Sequence, residues 1–583
     1  SPPIKDLVKP DRILATEPDR LFATYMTQQT RLCCRVPGII LLRRPVRRSN
    51  SQNHWPGEHF SIRLTSSARL VARLQNGLAC PVQCCISGHT LSNTSTDQDR
   101  VRALPISRAA VAGVFWLMFN QLLSRGFVTV GLLAIGATAG PEVFAPMAVI
   151  AMFLALSSSM FEDVFVYQLV RSNLESRDLQ FRAARLYAIC LAAIVSVLVY
   201  PLTPFLAELA RLPEIEGQLR WCLLAVWAHA LQVPVLAWLR MEMKFRQQSL
   251  LALPSLIIVL VLALVSLTAF GPTTALLVLA VGSACVQVLI FCLWRPSLLR
   301  GWSSDQRVLR QFVQFGGRLY LANLMNIGFA GLYVVIIARL FAGEALGQYF
   351  FADKARELLI LPFMGALQTV VYSELTRADD GGESLAHAFR LALGSISLVV
   401  VPVCLFVAGY APEVFELLLD DSWVPAASYL ALMALATMFV PLHAMNLTAN
   451  KVLGRGDWLL RIELAKKLLA VMVLLFSVRW GVPGIVAGQL FMAIVSVFIN
   501  GVYASGGVGI TIGRQLLIFM PYLVIGGVAL TVSRFFSVVL NVDGWPAIVT
   551  GGTLAIAVYL ALNKLLRTEG FQHAERILRH NRD

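Results

Sequence analysis

From Val111 to Leu566 the chain alternates long apolar stretches with short basic or Gly/Pro-marked turns. A bilayer core of ~30 Å needs about 20 apolar residues per helix, and only helices or closed barrels satisfy their backbone groups inside it. Stretches such as 250–270 and 482–503 are far too long for barrel strands. The pattern predicts an all-α polytopic membrane protein with about fourteen transmembrane helices, arranged as two parallel six-helix repeats plus two C-terminal helices. Spans are expected at 111–137, 143–170, 186–206, 221–239, 250–270 and 274–294. A second group falls at 319–341, 358–375, 389–410, 428–445, 459–478 and 482–503, followed by 515–536 and 545–565.

The expected domains follow from this pattern. Residues 1–105 form an extension, 106–300 the first bundle, 301–510 the second, 511–566 the two extra helices and 567–583 a basic cytoplasmic tail. Of 583 residues, 57% are hydrophobic and 14% charged, against roughly 25% charged in a soluble domain. The net charge of +15 suggests nucleic acid until its distribution is considered. Lys and Arg gather in alternate loops: Arg171, Arg177, Arg182 and Arg185; Arg240, Lys244 and Arg246; Arg295, Arg300, Arg307 and Arg310; Lys451 and Arg455. The opposite turns at 138–142, 271–273 and 411–427 carry none. The positive-inside rule then places both ends of the bundle in the cytoplasm and excludes nucleic acid as the partner.

Residues 1–105 lack sustained periodicity and are expected to be a disordered extension or sequence upstream of a true start, with Val101 as an alternative start. Cys80, Cys84, Cys85 and His89 are the one cluster with metal-ligand residue types. No second pair follows at finger-like distance, so no metal or cofactor is expected. Cys190, Cys222, Cys285, Cys292 and Cys404 fall in apolar stretches and read as packing residues. Asn93-Thr94-Ser95 fits a glycosylation sequon on the side assigned to the cytoplasm and is discounted.

An offset of 202 residues aligns Glu142 with Glu344, Gln121 with Asn323 and Ser124 with Asn326. Parallel repeats of this kind place a substrate path between two halves that rock for alternating access. Polar residues inside the membrane are costly, so each is a candidate for function. Asn120, Gln121 and Arg125 form one polar face of the first span, mirrored by Arg318, Asn323 and Asn326 in the seventh. These faces either line a cavity or join helices through hydrogen bonds. Glu162 and Asp163 lie toward the cytoplasmic end of the second span, as partners for Arg125, ion-coupling acids or helix-end structure. Lys354, Arg356 and Glu357 are expected at the outer start of the eighth span with Arg339 nearby, either snorkelling or forming a basic rim for an anion. His229, alone in the fourth span, reads as a packed histidine. The chain has no P-loop, no long outward loop and no assembled nucleophile, base and orienting group, so an enzyme is not expected.

Several segments resemble the polysaccharide transporter family, which holds the O-antigen and exopolysaccharide flippases of the multidrug/oligosaccharidyl-lipid/polysaccharide exporter superfamily. They are Phe115-Trp116-Leu117-Met118-Phe119-Asn120-Gln121, Gly140-Pro141-Glu142-Val143-Phe144, and Phe161-Glu162-Asp163 leading to Gln168-Leu169-Val170-Arg171. In the second half they are Phe315-Gly316-Gly317-Arg318, Ala345-Leu346-Gly347-Gln348-Tyr349-Phe350 and Leu361-Pro362. The likeness covers 111 to the C-terminus. Val164-Phe165 stand where the family commonly has a Gly, and the extension has no counterpart.

The resemblance implies a flippase of the bacterial inner membrane. It would move an undecaprenyl-pyrophosphate-linked oligosaccharide from the cytoplasmic to the periplasmic leaflet for lipopolysaccharide or exopolysaccharide biosynthesis. Its implied partners are that substrate, membrane lipids and other polysaccharide assembly proteins. Anion contact is assigned to Arg125, Arg318, Arg339, Lys354 and Arg356, because guanidinium binds pyrophosphate in a fork. The amides Asn120, Gln121, Asn323 and Asn326 would line the path, and Glu162 and Asp163 would couple an ion. The rivals are a multidrug antiporter of the same superfamily, which asks for a dominant buried carboxylate, a membrane polymerase or glycosyltransferase, which asks for a long outer loop, and a non-transporting scaffold.

Overall fold

The computed structural model describes residues 39–42, 61–64, 108–171, 177–296, 301–341, 343–359, 382–452 and 456–580. The chain divides into two compact units, 1–102 and 103–583. In the first, β1 (Ile39–Leu42) pairs antiparallel with β2 (Ser61–Leu64), with Ile39 opposite Leu64. The cysteine and histidine cluster at 80–89 and the sequon at 93–95 lie outside the described residues.

The second unit is all helix among the described residues, as an all-α polytopic membrane protein. Its first elements are α1 (Arg108–Gly136), α2 (Ala145–Phe161), α3 (Arg177–Ala210), α4 (Ile215–Met241), α5 (Phe245–Phe270) and α6 (Pro272–Trp294). A 3-10 turn, Pro141–Phe144, leads into α2, and a π turn, Glu162–Val166, carries it on to Tyr167–Arg171. Next, α7 is Gln306–Gln311, a π turn Phe312–Gly316 and Gly317–Leu340. It is followed by α8 (Gly343–Leu359) and α9 (Gly382–Leu418). α10 has two segments, Val424–Thr437 and Val440–Val452. The last are α11 (Gly456–Ser477), α12 (Gly481–Val508), α13 (Ile512–Val539), α14 (Trp545–Leu565) and a short terminal helix α15 (Glu569–His580). Eleven stretches among the described residues are long and apolar enough to cross a membrane.

The differences from the hydropathy reading have physical causes. α8 begins at Gly343, not near 358, because Asp353, Lys354, Arg356 and Glu357 depress the hydropathy of its middle and push the apolar window toward its end. Residues 360–381, where the expected span continues, lie outside the described part. α10 is broken ahead of Pro441, which disfavours helical backbone in the residue before it and cannot donate into the preceding turn. Part of the 567–583 stretch is the helix α15, docked rather than a bare tail. The Gly570 N–H donates to the Tyr522 hydroxyl at 2.9 Å, and Arg390 pairs with Glu569.

Two close backbone approaches set how α2 meets the second half of the chain. A Cβ on Gly347 of α8 would lie 1.7 Å from the Pro141 carbonyl oxygen. A Cβ on Gly316 of α7 would lie 2.4 Å from both Cα and O of Val164. Membrane helices use small residues in this way, since backbones in van der Waals contact replace the hydrophobic drive that lipid removes. The Gly316 contact joins two π turns, whose extra residue bulges toward the neighbour. The aromatic side chains of Phe144, Phe351, Phe415 and Trp423 interlock where α2, α8, α9 and α10 meet, with ring centroids 4.6–5.7 Å apart.

Candidate functional site

Packing α8 against α1 and α2 brings charges from distant sequence together. Arg125 of α1 donates from Nη1 to Glu357 Oε2 at 3.0 Å, and lies 3.5 Å from the Glu357 carbonyl oxygen. Lys354 Nζ reaches Glu357 Oε1 at 3.1 Å. Arg356 holds Asp353 Oδ1 through Nε at 3.1 Å and Nη2 at 2.5 Å. Among the described residues, three cations thus stand against two carboxylates, a surplus of one positive charge. At ~1.5 Å per residue, Arg125 lies roughly 16 Å from the Gly136 end of α1, and Lys354 roughly 16 Å from the Gly343 end of α8. That depth is about half a ~30 Å hydrocarbon core. The expected placement of 354–357 at the start of the eighth span is corrected: α8 begins at Gly343, so these residues lie about three turns into it.

Arg125 also has a different partner from the acids proposed for it. Glu162 pairs with Arg240 Nη2 of α4 at 2.8 Å. Asp163, 3% exposed, accepts from Ser159 Oγ at 2.5 Å and from Asn323 Nδ2 of α7 at 2.7 Å through Oδ2. This second cluster links α2 and α7 beside the Gly316–Val164 crossing.

The other predicted residues are scattered. Arg318 is exposed and makes no ion pair among the described residues, while Asn120 is half-buried and Gln121 exposed. Asn326 accepts from Lys467 of α11. Arg339 donates to the Glu208 carbonyl at 3.2 Å near the end of α3, away from both clusters. His229 is packed against Ser157, with Nδ1 3.1 Å from Oγ.

Sequence reasoning named Glu357 only as a neighbour of Lys354 and Arg356, passed over Asp353, and missed Arg240 as the partner of Glu162. The signal was present. The 202-residue offset sets Glu344 beside Glu142, and Glu142 opens the second span. The register thus starts the eighth helix near 343 and places 353–357 at mid-depth.

One helical turn from Arg125, an apolar cavity of about 750 Å³ opens. Thr129 of α1, Ala355 and Leu358 of α8, Pro402 of α9, Gly526 of α13 and Tyr559 of α14 are among its lining residues. Pro402, inside α9, takes one donor out of that helix's hydrogen-bond ladder at the cavity wall. A charged cluster beside an apolar cavity suits an amphiphile with an anionic group and a hydrocarbon part.

These features define a many-helix membrane protein. The fold is similar to that of the lipid II flippase MurJ in an inward closed conformation, with a TM-score of 0.66 and 12% identity over 78% of this chain and 98% of that one. It is also similar to an inward-facing multidrug resistance MATE family transporter of the MOP superfamily, with a TM-score of 0.53 and 18% identity over 67% and 95%. None of the curated proteins matches the chain. Residues 139–428 match the family described as polysaccharide biosynthesis protein. That match spans 290 of the 583 residues, just under half of the chain.

Proposed function

We propose that this transporter flips a lipid-linked oligosaccharide carrying a pyrophosphate, of the undecaprenyl type, from the cytoplasmic to the periplasmic leaflet of a bacterial inner membrane. The observation that carries the reading is the surplus of cations at Arg125, Lys354 and Arg356, at mid-depth and one turn from an apolar cavity. Guanidinium and ammonium groups in a low-dielectric site attract phosphate far more strongly than in water. The neighbouring cavity of about 750 Å³ gives part of a polyprenyl chain an apolar lining while the head group stays at the cations.

Lys and Arg clusters on alternate loops support a topology with both ends of the bundle in the cytoplasm. On this topology α2 runs inward, so the Asp163–Asn323 link and the Gly316 crossing lie toward the cytoplasm, and the Gly347–Pro141 contact lies toward the periplasm. These two seams are the natural places for the halves to part in turn. Asp163 and Glu162 are the proposed ion-coupling acids, Asp163 first because it bridges the halves. Asn120, Gln121, Asn323, Asn326 and Arg318 line the proposed path, while Arg339, held at the end of α3, is a weaker member of the anion set.

The test is flipping of undecaprenyl-pyrophosphate oligosaccharide in proteoliposomes by wild type and Arg125→Ala. Protein-dependent flipping that falls at least tenfold in Arg125→Ala supports the reading. Folded wild type that leaves the lipid in place and exports a cationic dye overturns it in favour of a drug antiporter.

A further inference from the structure

Glu357 is held in an unusual way. Its two carboxylate oxygens each serve a different cation, Arg125 from α1 at 3.0 Å and Lys354 from its own helix at 3.1 Å. Asp353, by contrast, is hydrogen-bonded by Arg356, through two nitrogens to one oxygen, with Lys354 and Arg125 near enough to act on it only through their charge. Among the described residues, Glu357 is thus the carboxylate in direct contact with Arg125 and Lys354, whereas the direct partner of Arg356 is Asp353. A phosphate group presents the same charge sign and oxygens at similar spacing, so it fits the place the Glu357 carboxylate fills.

We propose that Glu357 is a built-in stand-in anion: it neutralises Arg125 and Lys354 while the site is empty, and the phosphate of the substrate displaces it. The inference rests on the flippase reading above and assigns Glu357 a positioning role within it, acting through the two cations rather than by touching the lipid.

Two physical needs meet in this residue. A transporter must return empty, and two unpaired cations at mid-depth would cost several kcal/mol each, opposing that return. Glu357 removes most of that cost. A transporter must also release its cargo, and a site of bare guanidinium and ammonium would hold pyrophosphate too tightly to let go. A resident carboxylate competing for the same donors weakens the bound state and offers a replacement as the phosphate leaves. The short tether matters: Lys354 and Glu357 sit one turn apart on α8, so the carboxylate moves away by a side-chain rotation without unwinding the helix.

The experiment uses the full chain in nanodiscs, with farnesyl pyrophosphate as the binding probe and flipping of the long-chain lipid-linked substrate as the turnover readout. Glu357→Gln keeps the shape and removes the competing charge. It should bind the probe about tenfold more tightly than wild type and turn over more slowly, a combination that loss of structure does not produce. Glu357→Asp, which keeps the charge, should stay near wild-type affinity and controls for folding. Wild type that binds the probe while Glu357→Gln binds it equally or more weakly overturns the stand-in role and leaves the flippase reading intact. Wild type that neither binds the probe nor flips the lipid overturns both.

Discussion

Replacing Gly316 with Ala should prise α2 from α7 and disturb the Asp163 cluster, whereas the same change at Gly317 should do neither. The new Cβ at 316 would sit 2.4 Å from Val164 Cα and 2.4 Å from its carbonyl oxygen, while at 317 nothing lies within 4 Å. Ordinary carbon contacts begin near 3.5 Å, so the helices must part by roughly 1 Å at the crossing. The Asn323–Asp163 bond, 2.7 Å in the structure, would stretch to about 3.7 Å, past the range of a hydrogen bond. Losing a hydrogen bond to a charged group costs ~1.5–3 kcal/mol, and overpacking costs ~1–3 kcal/mol. The two overlap, so we expect about 2–5 kcal/mol for Gly316→Ala. Both variants gain up to ~1 kcal/mol from replacing a helical glycine, which the comparison cancels. The assay is unfolding of each variant in mixed micelles, followed by tryptophan fluorescence, with flipping measured in parallel. Equal unfolding midpoints for the two variants would refute the crossing as a tight seam.

Three further outcomes follow from other contacts. Asn446 donates to Gln515 Oε1 at 2.7 Å in a fully buried pair, so Asn446→Leu should cost ~1–3 kcal/mol; the double change with Gln515→Leu should cost less than the sum of the singles, read by a double-mutant cycle. Gln348, 4% exposed, donates to the Ser422 carbonyl at 2.8 Å and to Glu344 at 3.0 Å; Gln348→Ala leaves that carbonyl without this donor and should lower the thermal midpoint, by ~1–3 kcal/mol of stability, while Gln348→Glu should not restore it. Tyr522→Phe removes the acceptor of the Gly570 N–H, so α15 should undock more often by ~1 kcal/mol, seen as roughly fivefold faster protease cleavage after Arg567 with flipping still present.

Much of the fold was legible because bilayer-spanning helices advertise themselves. Length and apolarity alone give α4 to α6 and α12 to α14 to within about six residues at either end, since no other backbone form survives in hydrocarbon, while the basic start of α3 hides its first nine residues. The reading failed at α8, where Asp353, Lys354, Arg356 and Glu357 lower the hydropathy that would locate a span. The sequence identified Arg125, Lys354, Arg356, Glu162 and Asp163 as notable for being charged inside apolar stretches. It left their partners open, offering the acids of α2 for Arg125 as one of three readings, and the structure pairs Arg125 with Glu357 of α8 and Glu162 with Arg240.

The division between the two sources has a plain physical basis. Hydropathy, loop charge and helix length are properties of segments, and the bilayer reads segments, so the sequence by itself determined a polytopic helical bundle, the candidate orientation and the costly residues inside it. Which cation meets which carboxylate depends on how helices more than two hundred residues apart cross. That is set by backbone contacts at Gly316 and Gly347, where the absence of a side chain lets one helix settle against another. No periodicity encodes such a crossing, so only the tertiary structure joined Arg125 to Glu357, Asp163 to Asn323, and the charged cluster to the apolar cavity beside it.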